Sequence, residues 1–204
     1  MARTLAALLA ALLLAACAPH LAPLHNDSAE RQAASATVVV ADGHALCAGV
    51  ALRPRLFVTA RHCVSGTRES YRDHADVDSG EGSRPAYLLA RGSSDLALLA
   101  TSETLPWTVA IGDDPVDGEE VFSVGHPDGS PYHLRRGVVT DAAVRVRVDT
   151  GPTLELVATT IRLQPGFSGG GLFNSRGELV GVAESTGNGR GYFTPASQLR
   201  AMLR

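Results

Sequence analysis

What most constrains this 204-residue chain is a succession of short β-prone apolar runs cut by turn residues. The runs cover residues 37–40, 45–52, 56–60, 86–90, 96–100, 108–111, 121–125, 134–140, 144–148, 154–158, 170–173, 179–183 and 191–194. Asp42-Gly43, Arg53-Pro54, Pro127-Asp128-Gly129, Gly151-Pro152 and Asn188-Gly189 punctuate them. Many short strands at this spacing predict an all-β fold, either a sandwich or a barrel, and periodicity does not choose between the two. Only the tail from Pro195 to Arg204 reads as a helix, with Ala196, Leu199 and Leu203 able to share one face. No internal repeat appears, and no second domain fits.

The chain is 45% hydrophobic and 19% charged, so it can bury a core and does not read as disordered. Its formal net charge is −3 with no basic block, which argues against a nucleic-acid partner. All 18 basic residues are Arg. The absence of Lys excludes a Ser-Lys dyad, a Schiff-base lysine and a P-loop lysine.

The N-terminus reads as a targeting segment. Arg3 precedes an unbroken apolar stretch of 12 residues from Leu5 to Ala16. A membrane span takes about 20 residues, so this stretch is too short to cross. It ends in Leu14-Ala15-Ala16-Cys17, which resembles the lipobox of bacterial lipoproteins. That resemblance implies a signal peptide over residues 1–16, a lipid on Cys17, and export to the bacterial cell envelope (periplasm) as a membrane-anchored protein. The alternative is an ordinary secretory signal with a chance Cys at its end. Residues 17–36 then carry the lipidated Cys and a flexible tether, rich in Ala and Pro and without a clear period, and the folded domain runs over 37–204.

Three strings bear chemistry: Thr59-Ala60-Arg61-His62-Cys63, Ser94-Asp95-Leu96-Ala97-Leu98-Leu99 and Pro165-Gly166-Phe167-Ser168-Gly169-Gly170. Each alone is a weak signal; their joint occurrence in this order is specific. They resemble the His, Asp and Ser motifs of the trypsin-like (chymotrypsin-fold) serine proteases. Together with Val124-Gly125-His126-Pro127 they look most like the bacterial HtrA-type members, and the likeness covers most of the chain after residue 37. It implies two perpendicular six-stranded antiparallel β-barrels with a short C-terminal helix and a site in the cleft between them. His62 and Asp95 would come from the first barrel and Ser168 from the second.

The implied chemistry explains the residue types. A serine hydroxyl needs an adjacent base to attack a carbonyl. His62 would take the Ser168 proton and pass it to the leaving amine, with Asp95 fixing the imidazole tautomer. The backbone N–H groups of Gly166 and Ser168 would face the developing oxyanion. The family also commonly bridges a strand to the His turn by a disulfide, which implies Cys47–Cys63; two free thiols are the alternative. Protein or peptide substrates, no cofactor, no metal and a monomer complete the expectation. In composition residues 73–81 resemble a calcium loop, but they lack its spacing and read as a solvated acidic loop.

The chain departs from the family in several places. Phe167 stands where zymogen-activated members carry Asp, and there is no Ile-Val-Gly-Gly start, so the site should be preformed or ordered by substrate. No PDZ domain is expected after Leu203. Glu184 falls where many members have a Ser supporting the Asp, and a second carboxylate beside Asp95 would disturb pKa values. Three outcomes are open: Glu184 turns outward, Ser185 takes its place by a register shift, or activity suffers. The substrate pocket is expected from Arg162, Leu163, Gln164, Glu184, Ser185 and Thr186. Arg162 sits where trypsin has its Asp, so no preference for cleavage after Lys or Arg is expected. One rival reading is a catalytically inactive protease fold acting as an envelope binding or scaffold module. A chance occurrence of the motifs in an unrelated lipoprotein is the other.

Overall fold

The computed structural model describes residues 27–67, 75–80, 82–130, 132–147 and 153–204. Among them, twelve strands close into two six-stranded antiparallel barrels. The first uses β1 (Thr37–Ala41), β2 (Leu46–Arg53), β3 (Leu56–Ala60), β4 (Ala75–Asp78), β5 (Ser83–Arg91) and β6 (Leu96–Thr101). Their order is β1-β2-β3-β6-β5-β4, with β4 returning to β1. The second uses β7 (Glu120–Gly125), β8 (His133–Arg147), β9 (Thr153–Thr159), β10 (Gly171–Phe173), β11 (Leu179–Gly187) and β12 (Arg190–Pro195). Their order is β10-β11-β12-β9-β8-β7, with β7 returning to β10. Closure decides what periodicity left open: a barrel removes the unpaired edges that a sandwich would keep.

The apolar runs explain the core. Phe57, Val58, Leu96 and Leu99 of the adjacent β3 and β6 are fully buried. The core continues without a break into Phe122, Val124, Phe173, Leu179 and Val182 of the second barrel. The rings of Phe122 and Phe173 stack there at 5.3 Å. The seam between the barrels is therefore apolar, and burial holds the two together.

Three elements differ from the sequence expectation. Residues 108–111 form no strand; they cross between the barrels and bond to both. The Val109 N–H donates to the Ala51 carbonyl at 3.1 Å, and the Ala110 carbonyl accepts the Leu179 N–H at 2.8 Å. The run 134–140 and residues 144–147 of the next run belong to one strand, β8, with register shifts at Val139, Asp141 and Val144, and residue 148 lies outside the described residues. Carboxylates there cap the irregularity: Asp141 accepts the Ala143 N–H at 3.0 Å and Asp117 the Ala142 N–H at 2.7 Å. The polar interruption bends the strand instead of ending it. Within the acidic segment 73–81, residues 75–78 are strand β4, with Ala75 and Val77 buried and Asp76 exposed. Residues 73, 74 and 81 lie outside the described residues.

The second half of the expected tether is also ordered. Helix α1 (Asp27–Ser35) buries Ala29, Ala33 and Ala34. Gln32 donates its side-chain amide to the Thr108 carbonyl at 3.1 Å, on the crossing segment. Arg136 on β8 holds Glu30 through two bonds of 2.8 and 2.5 Å. The packing surface is made of small alanines, so no stripe of large apolar residues betrays the helix in sequence. Residues 1–26, Cys17 included, lie outside the described residues. Helix α2 (Ala196–Met202) forms as expected, burying Ala196 and Leu199. No described helix is long and apolar enough to cross a membrane.

Candidate active site

Strand register brings His62 and Asp95 together. β3 pairs with β6 so that Ala60 faces Leu96, leaving the residues just outside each strand side by side. A single 3-10 turn, Arg61–Val64, carries His62. Asp95 then serves that turn with every acceptor it has. Its carbonyl accepts the Arg61 N–H at 3.2 Å and its Oδ1 accepts the His62 N–H at 3.0 Å. Its Oδ2 lies 2.5 Å from His62 Nδ1. That contact assigns the Nδ1 proton to the Asp95 side and leaves Nε2 free to act as a base. The Asp95 hydrogen bond holds the His62 imidazole above its ordinary pKa, opposed by partial burial and aided by the charges of Asp95 and Glu184. The Cys47–Cys63 disulfide ties the same turn to β2. The ligand atoms of Cys47, His62 and Cys63 lie within 4.8 Å of one another, but both sulfurs are in the disulfide and offer no thiolate to a metal.

Ser168 is built from the other barrel. Ahead of it, the Phe167 N–H donates to the Gln164 carbonyl at 3.0 Å, and Gly166 has φ of +91°. Pro165 at the second position and a positive-φ Gly at the third give the pattern of a type II turn. Behind Ser168, Gly169 has φ of +79°, and a Cβ there would lie 2.2 Å from the Ala48 carbonyl oxygen and 2.3 Å from Thr59 Oγ1. Only glycine lets this loop press onto the first barrel. The Ser168 carbonyl accepts the Ala48 N–H at 2.8 Å, docking the loop on the residue next to Cys47. The N–H groups of Phe167, Gly169 and Gly170 all find protein acceptors. Among the described residues, those of Gly166 and Ser168 find none.

The expected pocket residues fall on two walls. Arg162 is exposed, while Leu163 and Gln164 are half-buried. A Cβ on Gly191 of β12 would lie 2.6 Å from the Ile161 carbonyl oxygen and 2.9 Å from Leu163 Cγ, so this wall lies flat on β12. The other wall is the end of β11. Its pairing with β10 stops at Val182, and Ala183 bonds to Gly169 and Gly170. Glu184, Ser185 and Thr186 follow, paired on one side only, to β12, with Glu184 left at a register shift. Ser185 and Thr186 are exposed. Glu184 stays half-buried, and its Oε2 accepts the hydroxyl of buried Thr194 at 2.9 Å. Desolvation, with the nearby Asp95 charge, pushes the Glu184 carboxyl up, against the Thr194 bond and the attraction of His62 and Arg61. Of the three expected outcomes, a Glu184 turned fully outward is not the one found: it is half-buried and within electrostatic reach of His62 and Asp95. Ala48 and Arg135 also shape the site, and no motif marks them in the sequence.

Residues 47–182 match the model of the trypsin-like peptidase domain. The chain belongs to this family. It is 36% identical over 92 residues to a probable periplasmic serine endoprotease DegP-like of Pseudomonas putida, covering 44% of this chain and 19% of that protein. It is 30% identical over 157 residues to the magnetosome formation protease MamE of Paramagnetospirillum magneticum, covering 72% of this chain and 21% of that protein. A serine protease Do-like HtrA of Lactobacillus helveticus is 30% identical over 132 residues, covering 61% of this chain and 31% of that protein. The chain thus spans less than a third of these relatives' length. In fold it resembles the active form of the Rv3671c protease from M. tuberculosis, with a TM-score of 0.78 at 20% identity over 89% of this chain and 86% of that one. The inactive form gives 0.76, over 89% and 94%.

Proposed function

We propose that the chain is a serine endopeptidase of the bacterial cell envelope, acting through an acyl-enzyme on Ser168. His62 Nε2 takes the Ser168 proton as the hydroxyl attacks the peptide carbonyl, then protonates the leaving amine. Water, activated by the same His62, releases the acid product. Asp95 holds the Nδ1 proton and stabilises the imidazolium. The N–H groups of Gly166 and Ser168 receive the oxyanion; loss of one such donor typically costs about 3 kcal/mol. An extended substrate pairs with the open edge of β11 from Glu184 to Thr186 and places its side chain against Arg162, Leu163 and Gln164. Arg162 disfavours Lys and Arg in that position. The signal over residues 1–16 directs export and is cut before Cys17, and the lipid on Cys17 holds the enzyme at the membrane facing the periplasm, working as a monomer without cofactor.

The observation that carries this reading is the pair of unpartnered N–H groups on either side of Phe167. The N–H groups of Phe167, Gly169 and Gly170 are tied to protein acceptors, which leaves these two to meet an oxygen of a bound substrate. The experiment is labelling of the full chain with a fluorophosphonate probe beside Ser168→Ala and His62→Ala. Labelling of the parent that is lost in both variants supports the reading. A folded parent that takes no label sinks it and favours the inactive scaffold module, in which Phe167 and Glu184 replace function.

A further inference from the structure

Resting on that reading, we infer that Arg135 is the positioning residue of the oxyanion turn: its guanidinium joins the Gln164 side chain to the Phe167 ring. The two donors of the oxyanion site, Gly166 N–H and Ser168 N–H, bracket Phe167. The Ser168 N–H belongs to the peptide that Phe167 begins, so wherever Phe167 sits, that donor points accordingly. Holding Phe167 is therefore equivalent to aiming the site.

Phe167 is fully buried, and its surroundings are specific. Its ring lies on bare backbone at Gly125 of β7, where a Cβ would come within 2.6 Å of the ring Cγ. The Arg135 guanidinium stands over the ring at 5.5 Å from its centroid. The same guanidinium donates through Nη2 to Gln164 Oε1 at 2.7 Å. Gln164 and Phe167 are the first and fourth residues of the turn, already linked by their backbone bond of 3.0 Å. Arg135 thus adds a second, side-chain tie across the same two residues, from a rigid strand. His126, next to Gly125, secures the middle: its N–H donates to the Gly166 carbonyl at 2.9 Å. A planar cation with several donors suits this double duty, stacking with its face and bonding with its edge. An aliphatic residue could cover the ring but would leave Gln164 unheld.

The test uses the full chain and the second-order rate of fluorophosphonate labelling as a function of pH. Arg135→Met keeps an apolar stem over Phe167 and removes the bond to Gln164. The expected result is a plateau rate lowered roughly tenfold to a hundredfold, the loss of one charge-assisted tie expressed as rate. The acid limb, set by His62, stays where it is, and the melting temperature stays near that of the parent. Arg135→Lys, which keeps a cation and one donor, recovers part of the rate. An Arg135→Met plateau equal to the parent's overturns the inference and leaves the proposed function standing. A rate that falls only in step with melting temperature, without recovery in Arg135→Lys, also overturns it, assigning Arg135 to stability alone. A parent that does not label overturns both readings together.

Discussion

The two halves of the candidate centre are held by different forces. On the first barrel, His62 and Asp95 are fixed by a covalent bridge at Cys63 and by hydrogen bonds that converge on one carboxylate. On the second, the Ser168 loop is fixed by shape, through glycines at 125, 166 and 169 whose missing Cβ atoms let backbones touch. The first half should respond to reductant and pH and tolerate small changes of volume. The second should ignore reductant and tolerate no added methyl. Ala48 joins them, since it follows Cys47 and donates to the Ser168 carbonyl.

The largest expected effect tests the half built by shape. Gly169→Ala puts a methyl 2.2 Å from a carbonyl oxygen at φ of +79°. Backbone strain and overpacking together predict a loss of about 4 kcal/mol. Chemical denaturation would report it, and labelling of Ser168 should vanish with it. A variant as stable and reactive as the parent would break the comparison, because the loop would then be free to move off the first barrel. Next comes the covalent tie. Replacing both Cys47 and Cys63 by Ser removes a closure across 16 residues of sequence, worth about 3 kcal/mol in the chain-entropy model. The denaturation midpoint should fall, and the parent should fall to match it when reductant is added, whereas the double variant should not respond further. An unchanged midpoint would show that hydrogen bonds alone hold the His62 turn.

How much of this was legible in the sequence follows the same division. Motifs pointed to the family and to the segments carrying His62, Asp95 and Ser168, of which the structure pairs His62 with Asp95, and alternation with turn residues announced most strands. Strand β4 was hidden because Asp76 and Asp78 dominate its composition while only Ala75 and Val77 carry its buried face. Helix α1 was hidden because it packs through alanines, which leave no large apolar stripe. The break expected between residues 140 and 144 is a bend, since the Asp117 and Asp141 side chains satisfy the backbone locally. Arg135 was invisible because its role depends on a ring and an amide about thirty residues away, and nothing local encodes that meeting.

A smaller effect probes the helix that the tether expectation missed. Glu30→Ala removes the partner of Arg136, whose side chain is 46% exposed, so screening limits the cost to about 1 kcal/mol. The melting temperature should fall by a few degrees at most, with the labelling rate of the folded protein unchanged. A large loss of labelling would mean that α1 positions the site rather than bracing the fold.

The smallest expected effect concerns charge, where the first half should be most sensitive. His62 is raised above its ordinary 6.5 chiefly by the Asp95 hydrogen bond, with Glu184 contributing in the same direction. Attack requires neutral His62, so the acid limb of labelling should lie above pH 6.5 in the parent. A raised histidine stabilises the fold fully below its unfolded value, and that contribution fades as pH climbs through the folded value. Glu184 is a carboxylate pushed up by burial, so folding favours its protonated form, and stability falls as pH rises past its ordinary 4.5. Both groups therefore make the parent less stable toward alkaline pH. Glu184→Gln keeps an oxygen that can accept the Thr194 hydroxyl and removes the charge. The acid limb should then move down toward 6.5, and stability near pH 8 should rise relative to the parent. Ser168 and its glycine-built loop carry no titrating group that could produce this shift, so a limb that stays put would place Glu184 outside the electrostatic reach of His62. A limb that moves upward would mean that Glu184 had been opposing His62 protonation, the reverse of the arrangement described.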